Sequence, residues 1–188
     1  MKKTNKSFEL MIAIDKAAEN IVNLAKLNLI TGTNKENNKD GKLYNSISRG
    51  KVIETATGYI VKFFMEDYGI FQDQGVKGTN SNYLENSKSP FSYKSKGGKF
   101  GLKGMPPPSA FDRWTITRGL APRIEKGKAG AGQFLKRKTL DFLIARSIFK
   151  KGIRATQFFS KPFNKTQDMN IANFLNAYVK DIQNQIKN

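Results

Sequence analysis

Two long amphipathic segments, near either end of the 188-residue sequence, constrain the fold more than any other feature. In residues 8–30, apolar side chains recur every three or four residues, the spacing of a helix with one buried face; they are Met11, Ile14, Ala18, Ile21, Val22, Ala25 and Leu29. A second helix is predicted from Asp168, its cap, to about Ile186. Its stripe comprises Ile171, Phe174, Leu175, Tyr178, Val179, Ile182 and Ile186.

Short strands are predicted directly after the first helix. Residues 51–56 are short and rich in β-branched side chains, and Thr57-Gly58 is a turn signal. Residues 59–65 place Tyr59, Val61, Phe63 and Met65 on one face, so the pair predicts a β-hairpin. Residues 44–48 are expected to add a short strand or an extended lead-in. The next segment, 67–75 (DYGIFQDQG), is predicted to be a compact turn holding one helical turn that carries Tyr68 and Phe71 inward.

The middle of the chain combines loops with two further helices. Residues 76–107 form a long polar excursion, and loops of that length usually serve function or mobility. After three prolines, a helix is predicted from near Ser109 to Gly119. Residues 123–132 are expected to be a flexible link and 133–151 a helix that ends in Lys150 and Lys151 before a glycine. Residues 153–162 are expected to hold a short extended piece.

This order predicts an α+β fold with an N-terminal helix, a small antiparallel β-sheet, a basic helical insertion, a short strand and a C-terminal helix. We expect residues 1–188 to form a single domain, with 76–151 as the basic insertion within it. No apolar run approaches membrane-spanning length. Charged residues between Glu9 and Glu19 argue against a signal peptide, so we expect synthesis in the cytoplasm and no membrane contact.

The composition argues against most catalytic chemistry. The sequence has no cysteine and no histidine, which excludes thiolate metal sites, cysteine nucleophiles and the commonest general base. The carboxylates of Glu66, Asp67 and Asp73 could bind a divalent cation, but adjacent carboxylates in a strand exit are more often solvated turn residues. The glycine-rich segments 94–104 and 126–132 lack the spacing of a phosphate-binding loop. We therefore expect no enzyme activity, no cofactor and no metal.

Positive charge is concentrated in one region. The net charge is +18, and residues 80–165 hold 19 Lys/Arg against 4 Asp/Glu. Such a segment predicts contact with a polyanion or an acidic protein surface, although solubility and an AT-rich genome would also favour lysine. The candidate contact residues are Lys94, Lys96, Lys99, Lys103, Arg113, Arg118, Lys136, Arg137 and Lys138.

Aromatic residues are interleaved with these cations. They are Tyr83, Phe91, Tyr93, Phe100 and Trp114. Such side chains can stack on bases while cations follow phosphates. Because stacking platforms usually lie on strands and this segment is interrupted by Pro and Gly, we favour aromatics that anchor a long loop onto the domain or onto a neighbouring subunit.

Three ordered segments resemble the neck and tail-completion proteins of tailed bacteriophages, the lambdoid minor tail protein family. Residues 41–47 (GKLYNSI) are similar to that family's Gly-x-Leu-x-x-Ser-Ile, and 68–75 (YGIFQDQG) to its Tyr-Ala-x-Tyr-Val-Glu-x-Gly. Residues 152–163 (GIRATQFFSKPF) are similar to its segment before the last helix. The residues that carry the match include Tyr68, Phe71, Asp73, Gly75, Phe158, Phe159 and Pro162.

The resemblance implies a structural virion protein. Proteins of this kind form a homo-oligomeric ring, on the order of six or twelve copies, that surrounds the DNA channel and joins the portal and adaptor proteins to the tail. It implies a place in the neck or tail of a particle assembled in the cytoplasm of an infected bacterium, and weak, nonspecific DNA contact at most. The alternative is a non-enzymatic DNA-binding accessory protein that uses the basic segment 80–165.

Overall fold

The fold begins with the helix that the apolar stripe predicts. The computed structural model describes residues 8–31, 41–80, 88–98 and 101–187. Helix α1 spans Phe8–Thr31, and its buried side chains are the small and branched residues Ala17, Ala18, Ile21, Val22, Ala25 and Leu29. Because these residues recur on one face, α1 has a core-facing side and a polar side. The predicted α+β fold is confirmed.

A short helix follows where the sequence analysis expected an extended segment. Helix α2 spans Lys42–Ser46, so the prediction of an extended conformation is wrong for residues 44–46. The Ile47 N–H donates to the Leu43 carbonyl oxygen at 3.2 Å. Leu43 and Ile47 are both buried, and a helical turn lets two residues four apart share one face.

The predicted hairpin is present, with shorter strands. Strand β1 spans Ser48–Arg49, β2 Ile53–Thr55, β3 Gly58–Ile60 and β4 Phe63–Phe64. Both pairs, β1 with β4 and β2 with β3, are antiparallel. The register shifts by one residue between the two pairs, so a bulge interrupts one continuous hairpin. The Arg49 guanidinium binds both carboxylate oxygens of Asp15 and thereby ties the hairpin to α1.

Helix α3, Gly69–Gln74, is the predicted helical turn, but its orientation differs from the prediction. Tyr68 and Phe71 are 46% and 40% exposed, so the expectation that they point inward is wrong. Gly69 and Asp73 are the buried residues. A Cβ atom on Gly69 would lie 2.8 Å from atoms near the ends of the Leu43 and Met65 side chains, so glycine lets this turn approach them closely, while Tyr68 and Phe71 lie on its exposed side.

Residues 74–155 contain most of the basic charge and two of the helices. Strand β5, Val76–Lys77, pairs antiparallel with β6, Gly152–Ile153. A 3₁₀ turn at Pro108–Phe111 leads into α4, Asp112–Thr117, close to the predicted helix. Helix α5 spans Arg137–Lys151 and ends where predicted. It starts four residues late because Phe134 is held in a β-bridge with Arg123.

The last helix starts much earlier than predicted. Helix α6 spans Ser160–Ile186, whereas the sequence analysis expected an extended segment as far as residue 162 and a cap at Asp168. Pro162 is compatible with this start because it lies in the first turn, where an N–H group has no partner within the helix. The actual cap is the side chain of Asp73, which lies 87 residues before Ser160 in the sequence.

The chain divides into two compact units. Unit 1 comprises Met1–Asp73 and Thr156–Asn188, and unit 2 comprises Gln74–Ala155. In unit 1, α1 and α6 pack antiparallel, since the carboxylate of Asp181 accepts hydrogen bonds from the amides of Glu9 and Leu10. At the other end, the Asn28 side-chain amide donates to the Phe158 carbonyl oxygen at 3.2 Å. Within the described residues, no helix has the length and apolarity to cross a membrane.

Candidate interaction surfaces

Residues from the three family-like segments meet in unit 1. Leu43 and Ile47 come from the first segment and Phe158 from the third, and they belong to one buried cluster with α1 residues Val22, Ala25 and Leu29. Phe158 and Ile47 are each only 1% exposed. Segments separated by more than 100 positions in the sequence therefore build one core.

The second segment contributes Asp73, which caps α6. Its Oδ1 atom accepts hydrogen bonds from the amides of Phe159, at 2.7 Å, and Ser160, at 3.1 Å. Its Oδ2 atom accepts one from the Ser160 hydroxyl. A carboxylate at a helix N-terminus satisfies amides that have no partner within the helix and interacts favourably with the helix dipole. Asp73 is only 4% exposed, whereas the adjacent carboxylates of Glu66 and Asp67 are exposed, as the interpretation of solvated turn residues predicts.

Backbone hydrogen bonds hold the capping residue next to the helix. The Thr156 amide donates to the Gln72 carbonyl oxygen at 3.0 Å, and the Gln157 amide to that of Asp73 at 2.9 Å. Gln157 adopts a left-handed conformation, with φ 51°. Such backbone geometry costs on the order of 1 kcal/mol or more in a residue other than glycine. Here it lets Gln157 bond to Asp73 immediately before α6 begins.

A surface cavity of about 320 Å³ lies beside this junction in unit 1. It is lined by Leu24, Asn28, Thr31, Thr156, Gln157, Lys161, Pro162 and Lys165. Several lining groups already bond within the chain: the Thr31 hydroxyl donates to the Leu27 carbonyl oxygen, and the Thr156 hydroxyl to that of Gln72. The hydroxyl groups of Thr31 and Thr156 therefore already have partners within the chain.

The remaining family-like residues serve packing or remain accessible. Phe159 packs edge-on against Phe63, with ring centroids 5.3 Å apart, and Pro162 is buried. Gly75 turns the chain with φ 72°. Partial burial, together with the nearby Glu66 carboxylate, raises the pKa of the Tyr68 phenol, and a hydrogen bond from the Leu43 backbone partly opposes this effect.

Acidic residues give no metal centre in the part of the chain that is described. Within 8–31, 41–80, 88–98 and 101–187, no group of three or more Asp and Glu side chains is arranged to hold an ion. Glu66 and Asp67 are exposed, while Asp73 is used as a helix cap. Asp141, buried in unit 2, accepts a hydrogen bond from the Thr115 hydroxyl at 3.1 Å.

The predicted basic residues lie in three places in unit 2. Lys94, Lys96 and Lys103 are exposed on a loop that is closed by a 2.8 Å hydrogen bond from the Lys96 amide to the Lys103 carbonyl oxygen. Arg113 and Arg118 lie in and just after α4. The exposed residues Lys136, Arg137 and Lys138 begin α5. Lys99 lies outside the described residues.

The cations at the start of α5 lie at the positive end of the helix dipole, where positive charge is unfavourable. The first turn has no acidic residue, and like-signed charge there destabilises a helix by about 0.3–1 kcal/mol per residue. Arg137 has one compensating contact, 3.6 Å from Asp112. An unfavourable charge pattern that is only partly compensated is typical of functional surfaces.

A hairpin-shaped turn next to α5 adds cations that sequence reasoning missed. The segment 123–132 was predicted to be a flexible link, but the Ile124 amide donates to the Gln133 carbonyl oxygen at 2.9 Å. The Arg123 guanidinium lies 5.0 Å from the centroid of the Phe134 ring, and Lys126 and Lys128 are exposed. The glycine-rich composition suggested a flexible link. The flanking residues Arg123 and Phe134, which contact each other, were the sequence signal that could have indicated an ordered turn.

The aromatic candidates have different environments. Tyr93 packs on buried Phe149 with ring centroids 5.8 Å apart, and burial raises the pKa of its phenol. Phe91 is half-buried; its carbonyl oxygen accepts a 2.9 Å hydrogen bond from the Lys77 amide. Trp114 is 46% exposed, with the Arg118 guanidinium 5.9 Å from its centroid. Tyr83 and Phe100 lie outside the described residues.

The described part of unit 1 exposes an apolar patch on α6, another on the hairpin, and a smaller group on α3 that consists of Tyr68, Ile70 and Phe71, which are 40–46% exposed. The helix patch lies on α6 and consists of Ile171, Leu175, Tyr178, Val179, Ile182 and Ile186, which are 38–78% exposed. The hairpin patch consists of Ile53, Ile60 and Phe64, which are 48–52% exposed. Ile53 and Ile60 are register partners, and Ile60 and Phe64 share a face through the alternation of the strand.

Comparison with known proteins adds no relative. No protein-family model matches this chain, and no curated protein or solved structure matches it.

Proposed function

We propose that this chain is a structural subunit of a tailed-bacteriophage virion that forms a ring in the neck or tail around the DNA channel. The observation that carries the proposal is the order of the three family-like segments along the chain. Their convergence supports it further, because Leu43, Asp73 and Phe158 all contribute to unit 1. A chance match of three short patterns would not require their residues to build one core and one helix cap.

The buried acids support a structural role. Asp73 and Asp181 cap helices, and Asp141 bonds to Thr115. These are the only buried carboxylates within the described residues, and each is used by the fold. A catalytic acid or base would instead need to reach a substrate from a cleft, so we propose that the protein is not an enzyme.

The basic surface suits a position beside the channel. Unit 2 holds 18 Lys/Arg and 4 Asp/Glu, and its described cations at 94–103, 113–118 and 123–138 are largely exposed. Lysine-rich surfaces attract phosphates without reading base sequence, and DNA transit requires release. The proposed partners are further copies in a ring on the order of six or twelve subunits, the portal, adaptor and tail proteins, and passing DNA.

A stop codon introduced at Lys42 of the viral gene tests this proposal. We expect lysates to contain DNA-filled heads and separate tails by electron microscopy, and a plasmid copy of the gene to restore joined particles. A synonymous codon at Lys42 is the matched control. Joined, infectious particles in the absence of the protein would contradict the proposal.

A second candidate function rests on the charge of unit 2 alone. A DNA-binding accessory protein would use the same exposed cations and would be absent from finished particles. The two functions differ in salt dependence, because a protein making several phosphate contacts loses DNA affinity steeply as salt rises.

A further inference from the structure

Helix α6 buries its more polar side and leaves its more apolar side uncovered. The covered side carries Thr166, Asn170, Phe174, Ala177 and Asp181, and Asp181 bonds to α1. The helix patch lies on another side, with Ile171, Leu175, Tyr178 and Ile182 spaced by four, three and four residues. That spacing makes a continuous stripe on a helix, so this apolar face is suited to packing against another protein surface.

We propose that the helix patch of one copy packs on the hairpin patch of the next copy. The proposal deepens the ring function above and rests on it. A ring requires two different, mutually complementary surfaces on each subunit, because a heterologous contact closes by rotation. The helix patch and the hairpin patch are two such apolar surfaces, and each is half-exposed.

The hairpin and the helix patch lie near different parts of α6. The hairpin contacts the first turn of the helix, since Phe63 packs against Phe159 and Phe163 at 5.3 and 6.0 Å between ring centroids. The helix patch begins eight residues beyond Phe163 and extends for roughly 22 Å at 1.5 Å per residue. One subunit can therefore contact a neighbour through each patch without the same residues being used twice.

The exposed area is sufficient for a specific interface. The helix patch exposes on the order of 600 Å², the upper end for the largest apolar patch of a monomer. With the hairpin patch, the apolar centre of the contact would bury roughly 900 Å², and a polar rim would bring the total into the 1,200–2,000 Å² range of stable interfaces.

Charge also favours a second copy in this orientation. Unit 2 carries 18 Lys/Arg and 4 Asp/Glu, whereas unit 1 carries 15 and 11, so repulsion between copies is weaker through unit 1. The exposed charges among residues 171–187 are Lys180 and Lys187. Exposed Glu54, Glu66 and Asp67 flank the hairpin patch and outnumber the exposed Lys51 and Lys62 beside and within it, so the two rims carry net charges of opposite sign.

Two charge-inserting variants test the pairing, with oligomer size measured by sedimentation velocity. Leu175→Asp disables the helix patch and Ile60→Asp the hairpin patch. Both positions are exposed, so the fold is expected to survive, which circular dichroism checks. We expect the unaltered chain to form concentration-dependent oligomers and each variant to weaken association at least tenfold. Asn173→Asp and Thr57→Asp, at exposed polar positions, are the matched controls.

Mixing the two variants distinguishes head-to-tail contact from other arrangements. Leu175→Asp retains an intact hairpin patch, and Ile60→Asp retains an intact helix patch. An equimolar mixture should therefore form heterodimers, which cannot grow further because their remaining patches are disabled. If the Ile60→Asp variant associates with itself and the mixture contains no heterodimer, two helix patches pair with each other. That result would overturn the proposal. A monomeric unaltered chain at every concentration would overturn it as well.

The same variants separate this inference from the proposed function. If Leu175→Asp enters particles at the normal copy number, the interface is wrong while the virion role stands. If the isolated chain assembles head-to-tail but is absent from particles, the interface is right and the virion role is wrong.

Discussion

Asp73 illustrates how much of unit 1 depends on one side chain. Its carboxylate joins the end of α3 to the beginning of α6, accepting two amide hydrogen bonds and one from a hydroxyl. Charge-assisted hydrogen bonds of this kind are stronger than neutral ones. A small acid after a turn therefore decides where a 27-residue helix begins.

Replacing Asp73 should destabilise the protein. Asp73→Ala removes a cap and leaves buried donors without an acceptor, so we expect the free energy of unfolding to fall by roughly 2–3 kcal/mol. Asp67→Ala, at an exposed position, is the matched control and should change it by less than about 0.5 kcal/mol. Urea unfolding followed by circular dichroism measures both. Equal stability of the two variants would contradict the capping role.

Tyr93 should make unit 2 sensitive to high pH. Burial holds the pKa of its phenol above the ordinary 10.0 in the folded chain, so the unfolded chain ionises first as pH rises. Its contribution to stability is therefore complete below about pH 10 and decreases as pH rises further. We expect Tyr93→Phe to reduce this loss, and Tyr44→Phe, a control on helix α2 of unit 1, to leave it unchanged. Fluorescence of Trp114, the single tryptophan, follows the unfolding of unit 2. Identical pH profiles of stability for the Tyr93→Phe variant and the unaltered chain would contradict the role assigned to Tyr93.

The helices show what local patterns can and cannot predict. The stripe of α1 and the Lys-Lys-Gly end of α5 are local signals, and both were predicted correctly. The start of α6 was missed because its cap, Asp73, lies 87 residues from Ser160. The apolar stripe of α6 was predicted to share one face, but the side of α6 that packs on α1 carries Asp181, which accepts hydrogen bonds from the Glu9 and Leu10 amides.

Asp181 should control the first turn of α1. Asp181→Ala removes the acceptor for the Glu9 and Leu10 amides, which lie 3.0 and 2.9 Å from its oxygens. Loss of a cap costs about 1 kcal/mol, so hydrogen exchange at both amides should accelerate roughly fivefold. Asp168→Ala, at an exposed position of the same helix, is the control. Unchanged protection in Asp181→Ala would show that α1 does not need this cap.

At the scale of the whole molecule, the positive charge is distributed unequally between the two units, and exposed apolar side chains occur in both. Most of the positive charge belongs to unit 2, while the described apolar patches on α6 and the hairpin belong to unit 1. The charge imbalance was visible in the sequence. The exposure of the patches was not, because periodicity shows which side chains share a face but not whether another element covers it.

The basic surface predicts a measurable salt dependence. Under the accessory-protein alternative, changing Lys136, Arg137 and Lys138 together to Gln should reduce the slope of log affinity against log salt by about 0.9 for each phosphate that these side chains neutralise. The matched control changes the exposed unit 1 residues Lys16, Lys51 and Lys62 to Gln. Under the ring proposal, binding to short duplex DNA should be weak for the unaltered chain, for the unit 2 variant and for the unit 1 control. Tight binding with a steep slope that the unit 2 changes reduce would favour the accessory protein.

The most direct test of the central claim is quantitative mass spectrometry of purified particles, counting this chain against a portal subunit. A ring in the neck or tail predicts a constant ratio of about one-half or one copy per portal subunit, since closed rings on a shared axis have fixed copy numbers. Absence of the chain from joined, infectious particles would contradict the structural role.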